Sequence, residues 1–397
     1  MRVCGVAAEY NPFHLGHARH LALLRQALGE DALLVCALSG DFVQRGEPAL
    51  LDKFARAEAA ARCGMDLVLE LPLPWAMASA EVFARGCVAL LAAAGAEYLG
   101  FGSECGDPDT LKRTAETLSD PALDGLIRAG LGEGLSYAAA RQRAAEMLAD
   151  TPLPALRSPN DILAVEYLRA VRAQGLTGSL TPLCIPRQGG GHDREDGALP
   201  SAKALRLRLE AGKDLRGAVP PESLEILDRE RAAGRGPLFP KDLETALLSR
   251  LRMLSPADFA LIPDAAEGLE NRLCRIARTA PDLDSLLREA GTKRYPVARL
   301  RRMLWAAALG LRRDDAAGTP PYLRVLAASE RGRALLGRLG EAAPLPLLSR
   351  PGDVKALDGR GRRCFALGEN AADLRALGCP AAAQRRGGQD RRGPAMV

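Results

Sequence analysis

Short apolar runs alternate with amphipathic stretches along the first half of the chain. Apolar runs at 3–8, 33–38, 66–71, 97–101 and 180–185 predict five strands. Helical patterns separate and follow them at about 15–28, 52–63, 76–94, 107–148, 160–174 and 201–211. Buried strands separated by helices are typical of α/β proteins, so the pattern predicts a Rossmann-like, doubly wound parallel sheet.

The pattern changes after Pro220-Pro221, where helical periodicity continues with little strand signal. The predicted helices are at 221–233, 241–253, 268–279, 281–290 and 294–311. We place a domain boundary between 212 and 240, which gives a sheet domain at 1–215 and a mainly helical region at 216–383. The stretch 384–397 is rich in Arg and Gly, and we expect it to be a disordered basic tail.

The composition is that of a folded globular protein, and it narrows the classes of protein to which the chain can belong. The chain has 397 residues, enough for two or three domains. The start of the chain carries no signal-peptide pattern, and no apolar run approaches the roughly 18 residues of a membrane span, so we expect a cytoplasmic protein with no membrane contact. The nine cysteines show no zinc-ligand spacing, so no structural metal is expected.

Positive charge is concentrated in the helical half. The stretch 272–313 contains eleven Lys/Arg and three Asp/Glu, a net charge of +8, against +5 for the whole chain. Such an excess favours a polyanionic partner. The candidates for contact with that partner are Lys293, Arg294, Arg299, Arg301 and Arg302. A solvated, Arg-rich helical face remains the alternative.

Three of the four histidines, His14, His17 and His20, directly follow the first predicted strand. In open α/β sheets, ligands bind beyond the carboxyl ends of strands, where helix N-termini offer free N–H groups. His14 and His17 are three residues apart and therefore share a helix face. They are the catalytic candidates, because two imidazoles could stabilise charge during displacement at the α-phosphorus of a nucleotide. The alternative is a pair of core or surface histidines.

Other polar and glycine-rich segments follow the later strands. Gly16 would let an adenine or ribose approach the backbone. Gln44 and Arg45 follow the second strand, and Asp52 begins a helix whose Lys53 and Arg56 suit a polyphosphate unless they are ordinary surface charges.

Two further segments follow the fourth and fifth strands. Gly102 ends the fourth strand, and Arg187 precedes the glycines at 189–191. Ser201 and Arg206 open a helix that could hold β- and γ-phosphates or simply be an N-capped helix. No P-loop, dinucleotide fingerprint or nucleophile elbow is present.

Longer strings are similar to one known family. Glu9-Tyr10-Asn11-Pro12-Phe13-His14, the segments 39–49, 66–72 and 101–104, and the later segments 158–163, 166–167 and 293–295 closely resemble the bacterial tRNA(Met) cytidine acetate ligases. That family is part of the HIGH-type nucleotidyltransferase superfamily. The similarity covers about residues 1–310 and is most specific in the first 105.

The resemblance implies an activity and its partners. Acetate would attack the α-phosphorus of ATP, which would carry Mg²⁺, to give acetyl-adenylate and pyrophosphate. The acetyl group would then pass to N4 of the wobble cytidine of elongator tRNA(Met), forming N4-acetylcytidine. The basic helical half would hold the tRNA, and no protein partner is inferred.

The resemblance and the phosphate argument together yield a set of ATP-binding residues. The set is Ala7, Ala8, Glu9, Tyr10, Asn11, Pro12, Phe13, His14, Leu15, Gly16, His17, Ala18, Arg19, His20, Gly102, Asn160, Arg187, Ser201 and Arg206. Leu15 departs from the family, which commonly has Asn there, and the helix after Ser201 departs from the usual alternation of small and Ser residues.

Two alternatives stay open. A small-molecule adenylyltransferase of cofactor biosynthesis would share the H-x-G-H segment but would not explain the basic helical half. A non-catalytic RNA-binding protein on a nucleotidyltransferase scaffold would not need both histidines, Arg187 and Arg206. A class I aminoacyl-tRNA synthetase is disfavoured because no Lys-Met-Ser-Lys-Ser loop follows the fifth strand.

Overall fold

A mostly parallel sheet organises the chain, as predicted, but within the described residues it has eight strands rather than the five expected from the sequence. The structure, a computed structural model, describes residues 2–187, 200–265, 268–292 and 295–397. The strands of this sheet and of a small hairpin are β1 (Val3–Ala8), β2 (Leu33–Ser39), β3 (Phe42–Val43), β4 (Glu47–Pro48), β5 (Leu67–Leu71), β6 (Tyr98–Ser103), β7 (Thr181–Pro186), β8 (Leu323–Ala328), β9 (Leu347–Leu348) and β10 (Ala395–Met396).

Strand order in the sheet is β10-β8-β5-β2-β1-β6-β7, with β9 also paired to β8. The pairs from β5 to β7 are all parallel, and Val6 lies opposite Cys36 in β2 and Gly100 in β6. β8 runs antiparallel to β5. β3 and β4 form a separate antiparallel hairpin. The carboxyl ends of β1, β2, β6 and β7 therefore meet at one edge of the sheet.

Helices account for most of the remaining chain. They are α1 (Leu15–Leu28), α2 (Lys53–Arg62), α3 (Leu73–Ala76), α4 (Ala80–Ala93), α5 (Pro108–Thr117), α6 (Leu123–Gly132), α7 (Tyr137–Ala149), α8 (Pro159–Ala173), α9 (Ala202–Glu210), α10 (Pro221–Ala232), α11 (Glu244–Arg252), α12 (Pro256–Ala260), α13 (Leu269–Thr279), α14 (Leu283–Ala290), α15 (Val297–Leu309), α16 (Glu330–Ala342) and α17 (Gly359–Ala376).

Helices cover both faces of the sheet, which makes it doubly wound. α1, α2, α9 and α10 bury apolar residues against one face, and α4, α5, α7 and α8 do so against the other. Every residue of β2 is buried, which explains why its sequence is continuously apolar rather than alternating. The helix starts follow local capping chemistry: Asp52, Ser79 and Ser158 each accept a backbone N–H in the first turn.

The predicted helical stretch at 107–148 consists of three helices, α5, α6 and α7. Pro121 follows Asp120 between the first two, and Gly134, with a φ of 87°, lies between the second and third. Proline and a left-handed glycine both end helices, so the breaks follow from residues that the apolar periodicity alone did not reveal.

The predicted boundary at 215/216 falls too early, since α10 packs on the sheet domain. Ile226 and Leu227 lie in the same core cluster as α1 and α2, and Arg229 pairs with Glu58 at 2.8 Å. A separate helical core begins with α11 and includes α13, α14 and α15. The chain then returns to the sheet as β8, so 216–383 is not one helical unit.

The prediction of a disordered tail is wrong. Residues 395–396 form β10 beside β8, and Asp390 is 2% exposed. Asp390 lies 2.6 Å from Nζ of Lys53 and 2.8 Å from a guanidinium nitrogen of Arg324. Two of its basic residues are compensated by carboxylates outside the segment, because Arg391 pairs with Glu369 and Arg392 pairs with Asp52. Composition within 384–397 could not reveal those partners.

The nine cysteines are free thiols, and six of them are buried. Across the described ranges, no helix combines the length and the apolar character needed to cross a bilayer. Within the same residues, no group of three or more His, Cys, Asp or Glu side chains is arranged to hold a metal ion.

Candidate active site

A cleft of about 410 Å³ opens at the carboxyl edge of β1, β6 and β7. We call it the histidine cleft, because His14, His17 and His20 line it together. Of the residues predicted to bind ATP, twelve line this cleft: Ala7, Ala8, Glu9, Tyr10, Asn11, His14, His17, His20, Gly102, Asn160, Arg187 and Ser201. The strands thus bring together segments almost 200 residues apart in sequence, as the parallel topology requires.

The other seven predicted residues do not line the cleft. Phe13 is 1% exposed and lies in the core beneath it. The remaining six are Pro12, Leu15, Gly16, Ala18, Arg19 and Arg206. Helical geometry explains why most of these residues do not face the cleft. α1 begins at Leu15, so only every third or fourth residue of the segment faces the site.

His14 and His17 are fixed by hydrogen bonds within the first turn of α1. Nδ1 of His14 accepts from the Gly16 backbone N–H at 3.0 Å, and Nδ1 of His17 accepts from the His14 N–H at 3.2 Å. The rings stack with centroids 3.7 Å apart. An imidazole whose Nδ1 accepts carries its proton on Nε2 when neutral. The N-capping geometry therefore yields two Nε2–H donors side by side.

Burial keeps these imidazoles neutral at physiological pH. Burial, reinforced by the positive charge of Arg187, lowers the pKa of His14 to about 4 and that of His20 to about 4. The pKa of His17 is well below its ordinary value for the same main reason, with His14 as the next cause. Nε2 of His20 is buried and has no hydrogen-bond partner among the described residues. A polar ligand in the cleft would satisfy it.

Aromatic side chains hold His17 from below. Tyr10 packs edge-on against His17 with centroids 4.9 Å apart, and Phe13 lies 5.5 Å from the same ring. Tyr10 has a φ of 44°, a left-handed conformation that is unusual for an aromatic residue. The residue is locally strained at the point where the chain leaves β1 for the site.

The missing side chain of Gly16 makes room for the His14 ring rather than for a nucleotide. A Cβ at this position would lie 2.8 Å from Cε1 and 3.0 Å from Nδ1 of His14. The interpretation that Gly16 makes room for adenine or ribose is therefore replaced. Its missing side chain lets the His14 ring fold back over the first turn of the helix.

A polar network on the opposite side of the cleft places Asn160. Its side-chain amide donates to Glu104, whose other carboxylate oxygen accepts from Ser158 Oγ at 2.6 Å. Asp161 accepts the backbone N–H of Glu104 at 2.9 Å and of Cys105 at 3.1 Å. The end of β6 and the start of α8 are thereby locked together.

Arg187 lies over the glycine at the end of β6. A Cβ on Gly102 would be 3.2 Å from Cγ of Arg187, so the missing side chain gives the arginine its path across the strand. Arg187 is exposed and lines the cleft, next to the histidines whose pKa values it lowers. The predicted neighbouring glycines at 189–191 lie outside the described residues.

Arg206 has a supporting position instead of a place in the cleft. Its guanidinium donates to the backbone oxygen of Asn11 at 3.1 Å and lies 3.9 Å from a carboxylate oxygen of Glu47. Ser201 does cap α9 and line the cleft. The structure thus divides the predicted phosphate pair: Ser201 is at the cleft, while Arg206 braces the loop before His14.

Lys53 and Arg56 are buried, so neither the polyphosphate interpretation nor the surface interpretation holds. Lys53 is 1% exposed and pairs with Glu70 at 2.7 Å. Arg56 donates to the backbone oxygens of Leu51, Ser39 and Gly40. Both cations stabilise the loop after β2 from within the protein.

Several cleft residues escaped prediction. The apolar ones are Val6, Ala80, Phe83, Gly100, Phe101, Pro159, Ile162, Leu163, Tyr167 and Ala202. Phe83 and Tyr167 sit on helices at positions indistinguishable by periodicity from ordinary core. Gln44 and Arg45 also line the cleft, and their position after β2 was the available signal. Apolar walls suit a base, and the imidazole and guanidinium groups suit phosphates.

The basic residues proposed for RNA are mostly engaged within the protein. Arg301 pairs with Glu47, and Arg302 lies 3.5 Å from Asp264. Arg299 donates to the Asp264 backbone oxygen at 2.9 Å. Lys293 and Arg294 lie outside the described residues. The exposed cations of this stretch are Arg275, Arg278, Arg288, Arg312 and Arg313.

Comparison with known proteins identifies the family. The family described as HIGH Nucleotidyl Transferase matches residues 1–390. The tRNA(Met) cytidine acetate ligase of Acetivibrio thermocellus is 35% identical over 98% of both chains. This chain belongs to the tRNA(Met) cytidine acetate ligase family of HIGH nucleotidyltransferases. The tRNA(Met) cytidine acetate ligase of Syntrophotalea carbinolica is 38% identical over 88% of this chain and 85% of its own.

Solved structures of the family share the whole fold. Thermotoga maritima TmcAL in its apo form matches with a TM-score of 0.93 and 31% identity over 100% of both chains. The same protein bound with alpha-thio ATP matches with a TM-score of 0.92 and 32% identity, again over 100% of both. The predicted family and the predicted fold class are confirmed. The match extends beyond residue 310, where the sequence resemblance was weak.

Proposed function

We propose that this protein is an ATP-dependent tRNA(Met) cytidine acetate ligase and that the histidine cleft binds the ATP. The observation that carries the proposal is the pair of neutral Nε2–H donors of His14 and His17 at the carboxyl edge of the sheet. The names of the relatives and the alpha-thio ATP bound to the Thermotoga protein support it.

The first step forms acetyl-adenylate. A carboxylate oxygen of acetate bonds to the α-phosphorus, and the bond from that phosphorus to the bridging oxygen of the β-phosphate breaks, releasing pyrophosphate. Negative charge grows on the α-phosphoryl and leaving oxygens. His14 and His17 stabilise that charge by donating from Nε2, and Arg187 adds a full positive charge. Any Mg²⁺ would be bound by the phosphates of the ATP.

The tautomer limits what the histidines can do. Both Nδ1 atoms already accept hydrogen bonds, and both Nε2 atoms carry protons. Neither ring offers a free lone pair, so they act as donors and not as general bases. In the second step the cytidine N4 amine attacks the acetyl carbonyl, AMP leaves, and a proton leaves the amine to another acceptor.

A labelling experiment tests the whole function. The protein is incubated with ATP, ¹⁴C-acetate and total bacterial tRNA, and the tRNA is digested to nucleosides. We expect the label in N4-acetylcytidine at the wobble position of elongator tRNA(Met). If no label entered the tRNA and AMP were instead found attached to a small-molecule product, the result would favour the adenylyltransferase alternative.

The His17→Ala variant tests the site itself. We expect acetate-dependent ATP–pyrophosphate exchange to fall by about 10²–10³-fold, because one preorganised donor to the transition state is lost. Binding of tRNA, measured by filter retention, should stay within twofold. Normal exchange in this variant would move the adenylation site away from the histidine cleft.

A further inference from the structure

A second cavity lies on the other side of α4 from the histidine cleft. Ala80 and Phe83 of that helix line the cleft, whereas Ser79 and Val82 line the second cavity, whose volume is about 230 Å³. Other walls come from α3, the segment 263–264, α15 and the 3₁₀ turn Arg313–Ala316. We call it the α4–α15 cavity.

The cavity opens on the same edge of the sheet as the histidine cleft. β5 ends at Leu71, and α3, which contributes Pro74, begins two residues later. The cleft lies at the ends of β1 and β6, and α4 stands between the two. A ligand extended across the N-terminal turn of α4 would reach both.

Positive charge dominates the polar lining of the cavity. Three guanidiniums, those of Arg85, Arg302 and Arg313, face one carboxylate, that of Asp264, which leaves a net charge of +2. Arg85 donates to the Ala316 backbone oxygen at 2.7 Å, and Arg313 reaches backbone oxygens at 3.3 and 3.5 Å. Carbonyl oxygens satisfy donors without cancelling charge, so the site still favours an anion.

The hydrogen bonding of two of these arginines is incomplete. Nε of Arg85 and Nε of Arg302 are buried without an acceptor within the described ranges. Burial lowers the pKa of Arg302, which shows that its charge is poorly solvated. The facing Asp264 has a φ of 62°, a left-handed conformation, and lies 3.5 Å from Arg302. A bound anion would compensate charge that the protein leaves only partly paired.

Apart from Ser79, the remaining lining of the cavity is apolar. It consists of Pro74, Met77, Ala78, Val82, Pro263, Ala306, Ala316 and Ala317. A flat base can pack on such aliphatic walls and against the plane of a guanidinium, which is one of the surfaces on which unstacked bases of single-stranded RNA stack, while its phosphate contacts the arginine N–H groups. The cavity is smaller than the roughly 300 Å³ at which pockets for drug-sized ligands begin, so it suits one nucleoside unit.

We propose that the α4–α15 cavity holds one unstacked nucleotide of the RNA substrate, a neighbour of the cytidine that is acetylated in the histidine cleft. The inference rests on the proposed function, because it assumes that an RNA strand enters the cleft. The base packs against Met77 and Val82, and a phosphate contacts Arg302 and Arg313. α4 separates this nucleotide from the reacting one.

Two variants test the cavity against a matched control. Arg313→Ala removes a lining cation, and Ala317→Trp fills the cavity from its exposed rim. Arg312→Ala removes the same charge from the adjacent exposed residue, which does not line the cavity. For each, the KM for tRNA(Met) in acetyl transfer and the rate of acetate-dependent ATP–pyrophosphate exchange are measured.

We expect the KM for tRNA to rise roughly tenfold in Arg313→Ala and at least as much in Ala317→Trp, as for the loss of a charged hydrogen bond. Arg312→Ala should stay within twofold to threefold. Exchange within twofold of wild type in all three would show that the fold and adenylation are intact. Equal KM values for the Arg312 and Arg313 variants, together with an unaffected Ala317→Trp variant, would overturn the inference.

Failure of the proposed function has a different signature. Wild-type protein would then transfer no acetyl group to tRNA. In that case the proposed role of the cavity would be tested by RNA affinity, measured by fluorescence anisotropy. Equal affinities of the Arg312→Ala and Arg313→Ala variants would refute that role.

Discussion

His14, Gly16 and His17 form a unit in which each residue sets the geometry of the next. The His14 ring caps α1 through Nδ1, Gly16 leaves the space for that ring, and His17 closes the capping box. The H-x-G-H spacing thus orients two donors by backbone hydrogen bonds. The residue between them, Leu15, does not line the cleft, so its departure from the family pattern leaves both imidazoles in place.

A single methyl group at Gly16 should test this unit. In Gly16→Ala the new Cβ would lie 2.8 Å from the His14 ring, and the ring must move. We expect ATP–pyrophosphate exchange to fall at least tenfold, since a misplacement of about 1 Å in a preorganised site can cost up to about 10²-fold. Far-UV circular dichroism should be unchanged.

Gly337→Ala is the matched control. Gly337 lies within α16, and a Cβ there meets nothing within 4 Å. This variant should keep full exchange activity and gain stability of about 0.5–1 kcal/mol, because alanine is the better helix former. Equal exchange rates in the two variants would show that His14 does not need its present position.

The depressed histidine pKa values predict a stability that declines with acid. For His14 and His20 the pKa is about 4 in the folded protein and about 6.5 when unfolded. Between those values the unfolded chain binds protons that the folded chain does not, so the free energy of unfolding falls as pH falls. At pH 5 each histidine should account for about 1–2 kcal/mol of lost stability relative to pH 7.

Urea unfolding at pH 7 and pH 5, without ATP, measures this decline. A His14→Gln/His20→Gln variant serves as the comparison, because all other titrating groups are shared. The wild-type free energy of unfolding should drop by about 2–4 kcal/mol more than that of the variant. The same drop in both proteins would mean that these rings titrate normally.

At the scale of residues, the sequence revealed the polar part of the site better than its apolar part. Histidines after a first strand are rare enough to single out, and the parallel topology brings Gly102, Asn160 and Arg187 to them. Phe83 and Tyr167 could not be separated from core residues by periodicity. Arg206 was misplaced because its helix face depends on a contact with Asn11, which is nearly 200 residues away.

Among the elements, β8 and the C-terminal segment show how pairing decides structure. β1, β2 and β5 to β7 are apolar runs that are regularly separated by helical segments along the chain, so the sequence alone located them. β8 has a similar length, but Arg324 interrupts its apolar run and it lies in an Ala-rich region, and its partner β5 lies about 250 residues earlier. Its residues are fully buried only because that pairing forms. The local sequence does not indicate such a distant pairing partner.

Asp390 is the residue through which the C-terminal segment is held. Its carboxylate faces Lys53 and Arg324, and all three side chains are at most 6% exposed. Asp390→Asn keeps the shape but leaves the two cations with Glu70 and the more distant Asp41. We expect the free energy of unfolding in urea to fall by about 3–5 kcal/mol, the usual effect of removing one partner of a buried ion pair.

Arg391→Ala is the control for that change. Arg391 is the next residue, its side chain is 62% exposed, and its partner Glu369 lies at the surface. An exposed pair contributes about 0–1 kcal/mol, so the variant should unfold close to wild type. If both substitutions cost the same, the buried pairs would not be what retains the segment.

On the scale of the whole molecule, the exposed positive charge does not follow the count of Lys and Arg residues along the sequence. The net +8 of 272–313 includes Arg301 and Arg302, which pair with carboxylates from elsewhere in the protein. Arg275 and Arg278 of α13 are exposed and three residues apart, so they share a face. They are the better candidates for long-range attraction of RNA.

Salt dependence of tRNA binding tests that attraction. If about five phosphates are contacted, affinity should fall roughly a hundredfold between 50 and 200 mM salt. Arg275→Glu/Arg278→Glu should weaken binding and flatten the slope. Arg333→Glu/Arg338→Glu makes the same change of charge on exposed positions of α16 and should have a smaller effect. Equal slopes in wild type and both variants would remove α13 from the RNA surface.

The pairing of β8 with β5 also bears on how the protein is made. A ribosome produces β1 to β7 long before β8 and Asp390. Until then the edge of β5 is open, and Lys53 lacks Asp390, one of its two close carboxylate partners. An exposed strand edge is a template for association with other chains. A nascent chain halted before β8 would therefore contain every histidine of the cleft, yet its open strand edge would make it a substrate for chaperones and proteases rather than an active enzyme.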